Sequence, residues 1–209
     1  MGIEKKARII FIGGIPGVGK SSISGYIASR LCIDIVLSGD YLREFARPLI
    51  HGDEGRILNV SVYDAWKQFG EFSRENVLKG FIEQGQIVNR GVEAVLRRAI
   101  NNGESLILET LYFIPEQIDP AVLKDVIAFY IQISDPSVNA ERLLHRTDFT
   151  HFRSSGERLA EQLPVYGIMR DYSVEQCRKN SIKVFDNLDY KKTREDILRY
   201  CGGDADGGP

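Results

Sequence analysis

Eight consecutive residues, Gly14-Ile15-Pro16-Gly17-Val18-Gly19-Lys20-Ser21, fit the spacing G-x-x-x-x-G-K-[ST] and follow directly on the apolar run Arg8-Ile9-Ile10-Phe11-Ile12-Gly13. Glycines at these positions let the backbone turn sharply and aim successive N–H groups at a polyphosphate, and a helix starting at the end of the loop adds positive potential. Lys20 then reaches the β- and γ-phosphates, and Ser21 offers a hydroxyl to Mg²⁺. A tight surface turn that happens to carry Lys and Ser would not explain the apolar run before the loop or the helical pattern after it. Gly14, Ile15, Pro16, Gly17, Val18, Gly19, Lys20, Ser21 and the adjoining Ser22 are therefore assigned to nucleotide, with Lys20 also catalytic and Ser21 the metal ligand. The implied cofactors are ATP, with GTP not separable from it by sequence, and Mg²⁺.

Phosphoryl transfer asks the protein for positioning and charge neutralisation, with one carboxylate near the acceptor hydroxyl and another near the metal or its waters. Asp40 and Glu109 come at the ends of two apolar runs, 33–38 and 105–109. Asp40 is read as the acceptor-side base and Glu109 as the acid beside Mg²⁺ or as an acceptor ligand, although spacing does not separate the two roles. Asp40 is also placed to cap a helix over 41–47, a role compatible with catalysis. For Glu109 the alternative is simple solvation of a strand end, which sits badly with so apolar a strand.

Anionic charge on an acceptor needs cations. Arg43 follows Asp40 by three residues and Arg47 lies one turn further on, so both project from a similar side and could hold a carboxylate or phosphate bidentately; otherwise they are ordinary solvated arginines. Arg142, Arg146 and Arg153 fall where phosphate-binding kinases carry a lid. Arg146 and Arg153 are the candidates for stabilising charge on the transferring group and for binding substrate. Tyr63, Trp66 and Phe69 could wall an acceptor pocket, but aromatics at helical spacing more often fill a core. His51, His145 and His151 lack metal-ligand spacing.

The elements that must place these groups alternate. Strands are expected over 8–13, 33–38, 105–109, 126–133 and 182–185, with a helix at 21–31 spaced by Ile23, Ile27 and Leu31. Residues 49–62 read as an irregular connection, with Gly52 and Gly55 as turn material. Ser73 reads as the N-cap of a long helix whose stripe is Val77, Phe81, Val88, Val92, Val95 and Ala99, ended by Asn101-Asn102-Gly103. Apolar strands separated by helices imply a parallel sheet covered on both faces, with ligands at the strands' carboxyl ends. The expected architecture is an α/β P-loop kinase fold with a five-stranded parallel sheet. It forms one domain over 1–201, with a substrate flap at about 41–72, a lid at about 142–158 and a disordered tail at 202–209.

Bulk properties narrow the partners. In 209 residues, 27 basic and 29 acidic side chains nearly cancel to a net charge of -2, so no extended basic field favours nucleic acid. No apolar run is long enough to cross a bilayer, and nothing indicates secretion. Cys32, Cys177 and Cys201 lack metal or disulfide spacing and fit buried thiols in a reducing cytoplasm. The sequence leaves the oligomeric state open.

Gly13 to Ser22, Leu37-Ser38-Gly39-Asp40-Tyr41-Leu42-Arg43-Glu44, Tyr63-Asp64-Ala65-Trp66, Gly80-Phe81-Ile82-Glu83-Gln84-Gly85, Arg98-Ala99-Ile100 and Leu106 to Pro115 occur in an order that resembles the archaeal 2-phosphoglycerate kinases. The resemblance spans most of the chain. It implies ATP- and Mg²⁺-dependent phosphorylation of 2-phosphoglycerate to 2,3-bisphosphoglycerate, with substrate-side roles for Asp40 and Arg43. It also implies an acid role for Glu109 and a site-directed Arg170 within Tyr166-Gly167-Ile168-Met169-Arg170-Asp171-Tyr172. Two departures touch the acceptor side. Thr110-Leu111-Tyr112 follows Glu109 where the family has Gly and a nearby His, and Gly39 precedes Asp40 where the family often has a small hydroxyl residue. The N-terminal nucleotide-binding region of longer members is also missing. A nucleoside, a sugar acid or an RNA 5′-hydroxyl are the other acceptors considered, and a non-catalytic ATP-binding regulatory module is the rival class.

Overall fold

The computed structural model describes residues 7–146 and 156–202. Its five strands, β1 (Ile9–Gly13), β2 (Ile35–Ser38), β3 (Leu106–Thr110), β4 (Ile127–Gln132) and β5 (Lys183–Asp186), form one parallel sheet in the order β2-β3-β1-β4-β5. The chain leaves the central strand β1 toward one side for β2 and β3 and crosses to the other side for β4 and β5. The loop after β1 therefore opens into the crevice where strand order reverses, the place such sheets bind ligands. Register aligns the carboxyl ends: Ile12 and Ser38 both pair with Glu109, while Gly13 pairs with Thr110 and Tyr130.

All five expected strands are present, shifted by a residue or two at their ends. β1 and β3 are buried along their whole length, as apolar strands in the middle of a two-faced sheet should be. β2 differs. It is an edge strand, and Ile35 and Val36 are 41% and 42% exposed. Phe11 anchors the centre, stacked on Phe113 with ring centroids 4.6 Å apart. Gly13 lies so close beneath Phe113 and Tyr130 that a Cβ there would overlap both rings.

Helix α1 (Lys20–Leu31) buries Ile23 and Ile27 and ends at Cys32 in a left-handed conformation. Helix α2 (Gly39–Ala46) begins at the end of β2, and Ser38 is its N-cap, accepting the Asp40 N–H at 3.3 Å. The cap role weighed for Asp40 thus falls to Ser38. The segment read as irregular contains a helix, α3 (Gly52–Leu58), followed by a 3-10 turn over Val62–Gln68. Gly52 starts α3 with φ 70°, and Gly55 packs against the Ile50 carbonyl at a separation that leaves no room for a Cβ. Both turn-forming glycines therefore serve the helix they had argued against.

Helix α4 (Arg74–Asn102) is 29 residues long, capped by Ser73 at one end and by left-handed Gly103 at the other, as the sequence indicates. The expected stripe is buried except at Val95, which is partly exposed, with Leu96 fully buried beside it. Gly80 admits the backbone of Ala65 and Trp66, which would lie 2.8 and 2.9 Å from a Cβ, so the 3-10 turn packs directly onto α4. A short helix α5 (Pro120–Leu123) leads to β4. Helices α6 (Pro136–Leu144), α7 (Glu157–Glu161), α8 (Leu163–Lys179) and α9 (Tyr190–Tyr200) complete the cover. Residues 147–155 of the expected lid, with Arg153 and His151, and all of the tail after Gly202 lie outside the described residues. Cys177 and Cys201 are buried thiols, whereas Cys32 is exposed, contrary to the expectation of buried cysteines.

Candidate active site

The phosphate loop runs from the end of β1 into α1. Gly17 and Gly19 have φ of 83° and 90°, conformations that favour glycine. A Cβ on Gly17 would overlap Asn139 Oδ1 and lie 2.7 Å from Leu143, and one on Gly19 would meet Asn187 Nδ2 at 2.9 Å. The loop is thus enclosed by α6 on one side and by the residue after β5 on the other. Asn187 is fully buried; its side-chain amide donates to the Val18 carbonyl at 2.8 Å and its backbone N–H to the Gln132 carbonyl at 2.8 Å. Asn187 directly follows the last residue of β5, and no local spacing in the sequence ties it to the loop. Gly14 N–H donates to the Thr110 carbonyl at 3.2 Å, tying the start of the loop to β3.

Lys20 sits at the first turn of α1, with Nζ 3.2 Å from the Ile15 carbonyl, folded across the loop. Ser21 donates its hydroxyl to Glu109 Oε1 at 2.7 Å. Glu109 is only 6% exposed, and its other oxygen is buried without a hydrogen-bond partner. A buried carboxylate oxygen with no donor is costly. Its position beside the Ser21 hydroxyl and the N-terminus of α1 suits a cation arriving with phosphate. Among the described residues no group of three or more His, Cys, Asp or Glu forms a metal cage. That fits Mg²⁺, which is commonly held by one or two protein oxygens together with substrate phosphates. Ser22 is exposed at the rim of the same turn.

The residues read from the sequence as acceptor-side lie on α2, the 3-10 turn, the segment after β3 and α8. Asp40 is exposed in the first turn of α2. Behind it, Gly39 lies against Thr110, and a Cβ on Gly39 would come 2.5 Å from Thr110 Oγ1. Tyr63 is edge-on to Tyr166, centroids 6.0 Å apart, and Arg158 of α7 lies over the Tyr63 ring at 5.8 Å. Burial pushes the Tyr166 phenol well up; Tyr63, Tyr112 and Asp40 act in the same direction and Arg158 opposes them. Tyr166 therefore remains a neutral phenol among these groups. Burial likewise lowers the pKa of Arg146; Tyr166 and Asp40 work against that shift, while Arg158 adds to it.

Not every arginine named from the sequence faces an acceptor. Arg43, with a side chain 12% exposed, donates Nη2 to the Leu58 and Val60 carbonyls at 2.6 Å each and Nη1 to Glu44 at 2.7 Å. Arg47 pairs with Glu44 at 2.7 Å and reaches Asn59 at 3.4 Å. Arg170 holds Asp171 at 2.8 Å. Gln84, buried in α4, donates to the Ile57 carbonyl at 2.5 Å and the Val60 carbonyl at 3.0 Å, and accepts from the Tyr112 hydroxyl at 2.7 Å. Arg43, Gln84 and Tyr112 together pin the chain between α3 and the 3-10 turn. Gln84 and Tyr112 carry no sequence signal for this beyond polar groups on otherwise apolar stretches.

No known family profile matches the chain. Over 192 residues, covering 92% of this chain and 94% of its relative, it is 46% identical to the mevalonate-3-phosphate 5-kinase of Thermoplasma acidophilum. It is 30% identical over 201 residues to the 2-phosphoglycerate kinase of Methanocaldococcus jannaschii, covering 95% of this chain but only 64% of that longer protein. Among solved structures, a shikimate kinase from Acinetobacter baumannii in complex with shikimate matches with a TM-score of 0.52 at 16% identity, covering 93% of both chains. The protein TT1252 from Thermus thermophilus matches with a TM-score of 0.51 at 18% identity, covering 93% of this chain and 96% of its own. These two likenesses establish the fold. With a phosphate loop at the switch point of a five-stranded parallel sheet and a relative matched at nearly full length, the chain belongs to the archaeal 2-phosphoglycerate kinase-like family of P-loop kinases, phosphotransferases with a hydroxyl acceptor.

Proposed function

We propose that the chain transfers the γ-phosphoryl group of ATP to the primary hydroxyl of a phosphorylated hydroxy acid of the mevalonate 3-phosphate type. The observation that carries the transfer is the Ser21 hydroxyl, in the first turn of the helix that follows the phosphate loop, held at 2.7 Å by a buried Glu109 whose second oxygen lacks a partner. Support for the acceptor comes from the relative of nearly equal length, 46% identical, whose name specifies mevalonate 3-phosphate. The aromatic wall of Tyr63 and Tyr166 suits an acceptor with an aliphatic body.

In this reading the N–H groups of Gly14 to Ser21 receive the phosphates, Lys20 swings from the Ile15 carbonyl to the β/γ oxygens, and Ser21 with Glu109 holds Mg²⁺. Mg²⁺ held there would neutralise charge developing on the transferring group. Asp40 accepts the hydroxyl proton as the acceptor oxygen bonds to phosphorus and the bond to the ADP oxygen breaks. Arg146 lies in the same electrostatic neighbourhood as Asp40 and Tyr166, where it stabilises the acceptor's negative charge.

A second reading, 2-phosphoglycerate, rests on relatives that are 28–30% identical and longer than this chain. The segment Thr110-Leu111-Tyr112 and Gly39, where that family differs, border the acceptor side and weigh against it. ADP release with ATP and Mg²⁺ across mevalonate 3-phosphate, mevalonate, 2-phosphoglycerate, glycerate, a nucleoside and a 5′-hydroxyl RNA decides between them. Stimulation by mevalonate 3-phosphate that disappears in Lys20→Ala is expected. Stimulation by 2-phosphoglycerate alone would move the acceptor, and a flat panel would overturn the reading.

A further inference from the structure

An acceptor that already carries a phosphate ester needs a cation to recognise it, and several candidate arginines are occupied elsewhere. Arg43 brackets two carbonyls, Arg47 pairs with Glu44 and Arg170 with Asp171. Arg158 is different. Among the described residues no carboxylate forms an ion pair with it, and its guanidinium lies over the Tyr63 ring, 5.8 Å from the centroid. Tyr63 is itself buried and set edge-on against Tyr166.

The position of Arg158 is fixed from below. Gly156, just before α7, packs against the Leu143 carbonyl at the end of α6 so closely that a Cβ would overlap it, and the same Cβ would lie 3.1 Å from Arg146 Cδ. The aliphatic stem of Arg146 therefore passes over the residue two before Arg158, and the two guanidinium groups oppose each other's charge, with Asp40 the carboxylate in range of both Arg146 and Tyr166.

We propose that Arg158, seated on Tyr63, binds the phosphate the acceptor already carries and so sets the preference for phosphorylated over unphosphorylated hydroxy acids. The inference rests on the proposed kinase reading for its substrate but names a residue and a subsite of its own. Bidentate guanidinium contact supplies the recognition, and the cation–π contact with Tyr63 limits the rotamer entropy lost when the anion binds.

The test uses the full chain, with Arg158→Gln and Arg158→Lys. In Arg158→Gln the KM for mevalonate 3-phosphate is expected to rise roughly 10- to 100-fold, the range of one charged hydrogen-bonded pair, with kcat and the KM for ATP within about twofold. The preference for mevalonate 3-phosphate over mevalonate should shrink by the same factor, and Arg158→Lys should recover part of it. A second arm needs no turnover. With the phosphate loop saturated by ADP and Mg²⁺, binding of inorganic phosphate to wild type is measured by calorimetry and is expected to be lost in Arg158→Gln. Unchanged KM and unchanged phosphate binding in Arg158→Gln would overturn the proposal, as would a wild type that binds no phosphate with ADP in place. If wild type binds phosphate through Arg158 yet phosphorylates no phosphorylated hydroxy acid, the anion subsite holds and the kinase substrate is what fails.

Discussion

The Ser21 hydroxyl and the Glu109 carboxylate meet at 2.7 Å although one begins a helix and the other ends the neighbouring strand β3. The parallel pairing of β1 with β3 sets their separation, because Ile12 and Glu109 are register partners and the loop from Gly13 to Lys20 returns the chain over that end of the sheet. With Oε2 of Glu109 buried and unpartnered, Glu109→Gln should leave metal-free ADP binding nearly unchanged. The Mg²⁺ needed for half-maximal activity should rise about 10- to 100-fold. A metal titration of activity checks this, and an unchanged Mg²⁺ requirement would remove Glu109 from the metal side.

Gly39 and Thr110 are in contact across β2 and β3, so Gly39→Ala forces a Cβ to within 2.5 Å of Thr110 Oγ1. Urea unfolding should show a loss of about 1–3 kcal/mol for that variant. In the double variant Gly39→Ala with Thr110→Gly, the loss should be smaller than the sum of the two single losses by more than about 1 kcal/mol. The Thr110 side chain thus fills the space in which a Cβ on residue 39 would lie.

Arg43 acts first as a fastener. Removing it in Arg43→Ala strands the Leu58 carbonyl and leaves the Val60 carbonyl to Gln84 alone, and a stability loss of about 1–3 kcal/mol is expected. Full stability combined with a weakened acceptor KM would instead return Arg43 to direct substrate contact.

Asn187 holds the phosphate loop through the Val18 carbonyl. In Asn187→Ala the loop loses that restraint, and the KM for ATP should rise about tenfold while the acceptor KM stays put. Equal changes in both would point to a general loss of folding.

Thiol chemistry separates the cysteines. Burial pushes Cys177 and Cys201 up to about 12, whereas Cys32 is exposed. Iodoacetamide at pH 8 should therefore modify one thiol in the folded chain and three in urea. Because the two folded pKa values are raised, their contribution to stability is complete below the unfolded thiol pKa of about 8.5 and is lost as pH climbs toward about 12.

The residue types and spacing of the chain disclose the phosphate loop, all five strands and the long capped helix, because each depends on local pattern or on short-range turn chemistry. α3 escaped notice since Gly52 and Gly55 signal turns locally, and only packing against Ile50 shows why a helix needs Gly55. The arginines divide for a similar reason. Arg43, Arg47 and Arg158 are alike in sequence, and what separates them is tertiary: carbonyls at 2.6 Å, a glutamate at 2.7 Å, and a tyrosine ring with no ion-paired carboxylate among the described residues. Asn187, distant from the loop in sequence and placed beside it by β5, could not be singled out from spacing.

The central claim is tested most directly by following the label from [γ-³²P]ATP in a single turnover with Mg²⁺ and mevalonate 3-phosphate, with wild type beside Lys20→Ala. The account predicts that label moves into a bisphosphorylated hydroxy acid with wild type and stays in ATP with Lys20→Ala. Label appearing in inorganic phosphate alone, or transfer undiminished by Lys20→Ala, would contradict it.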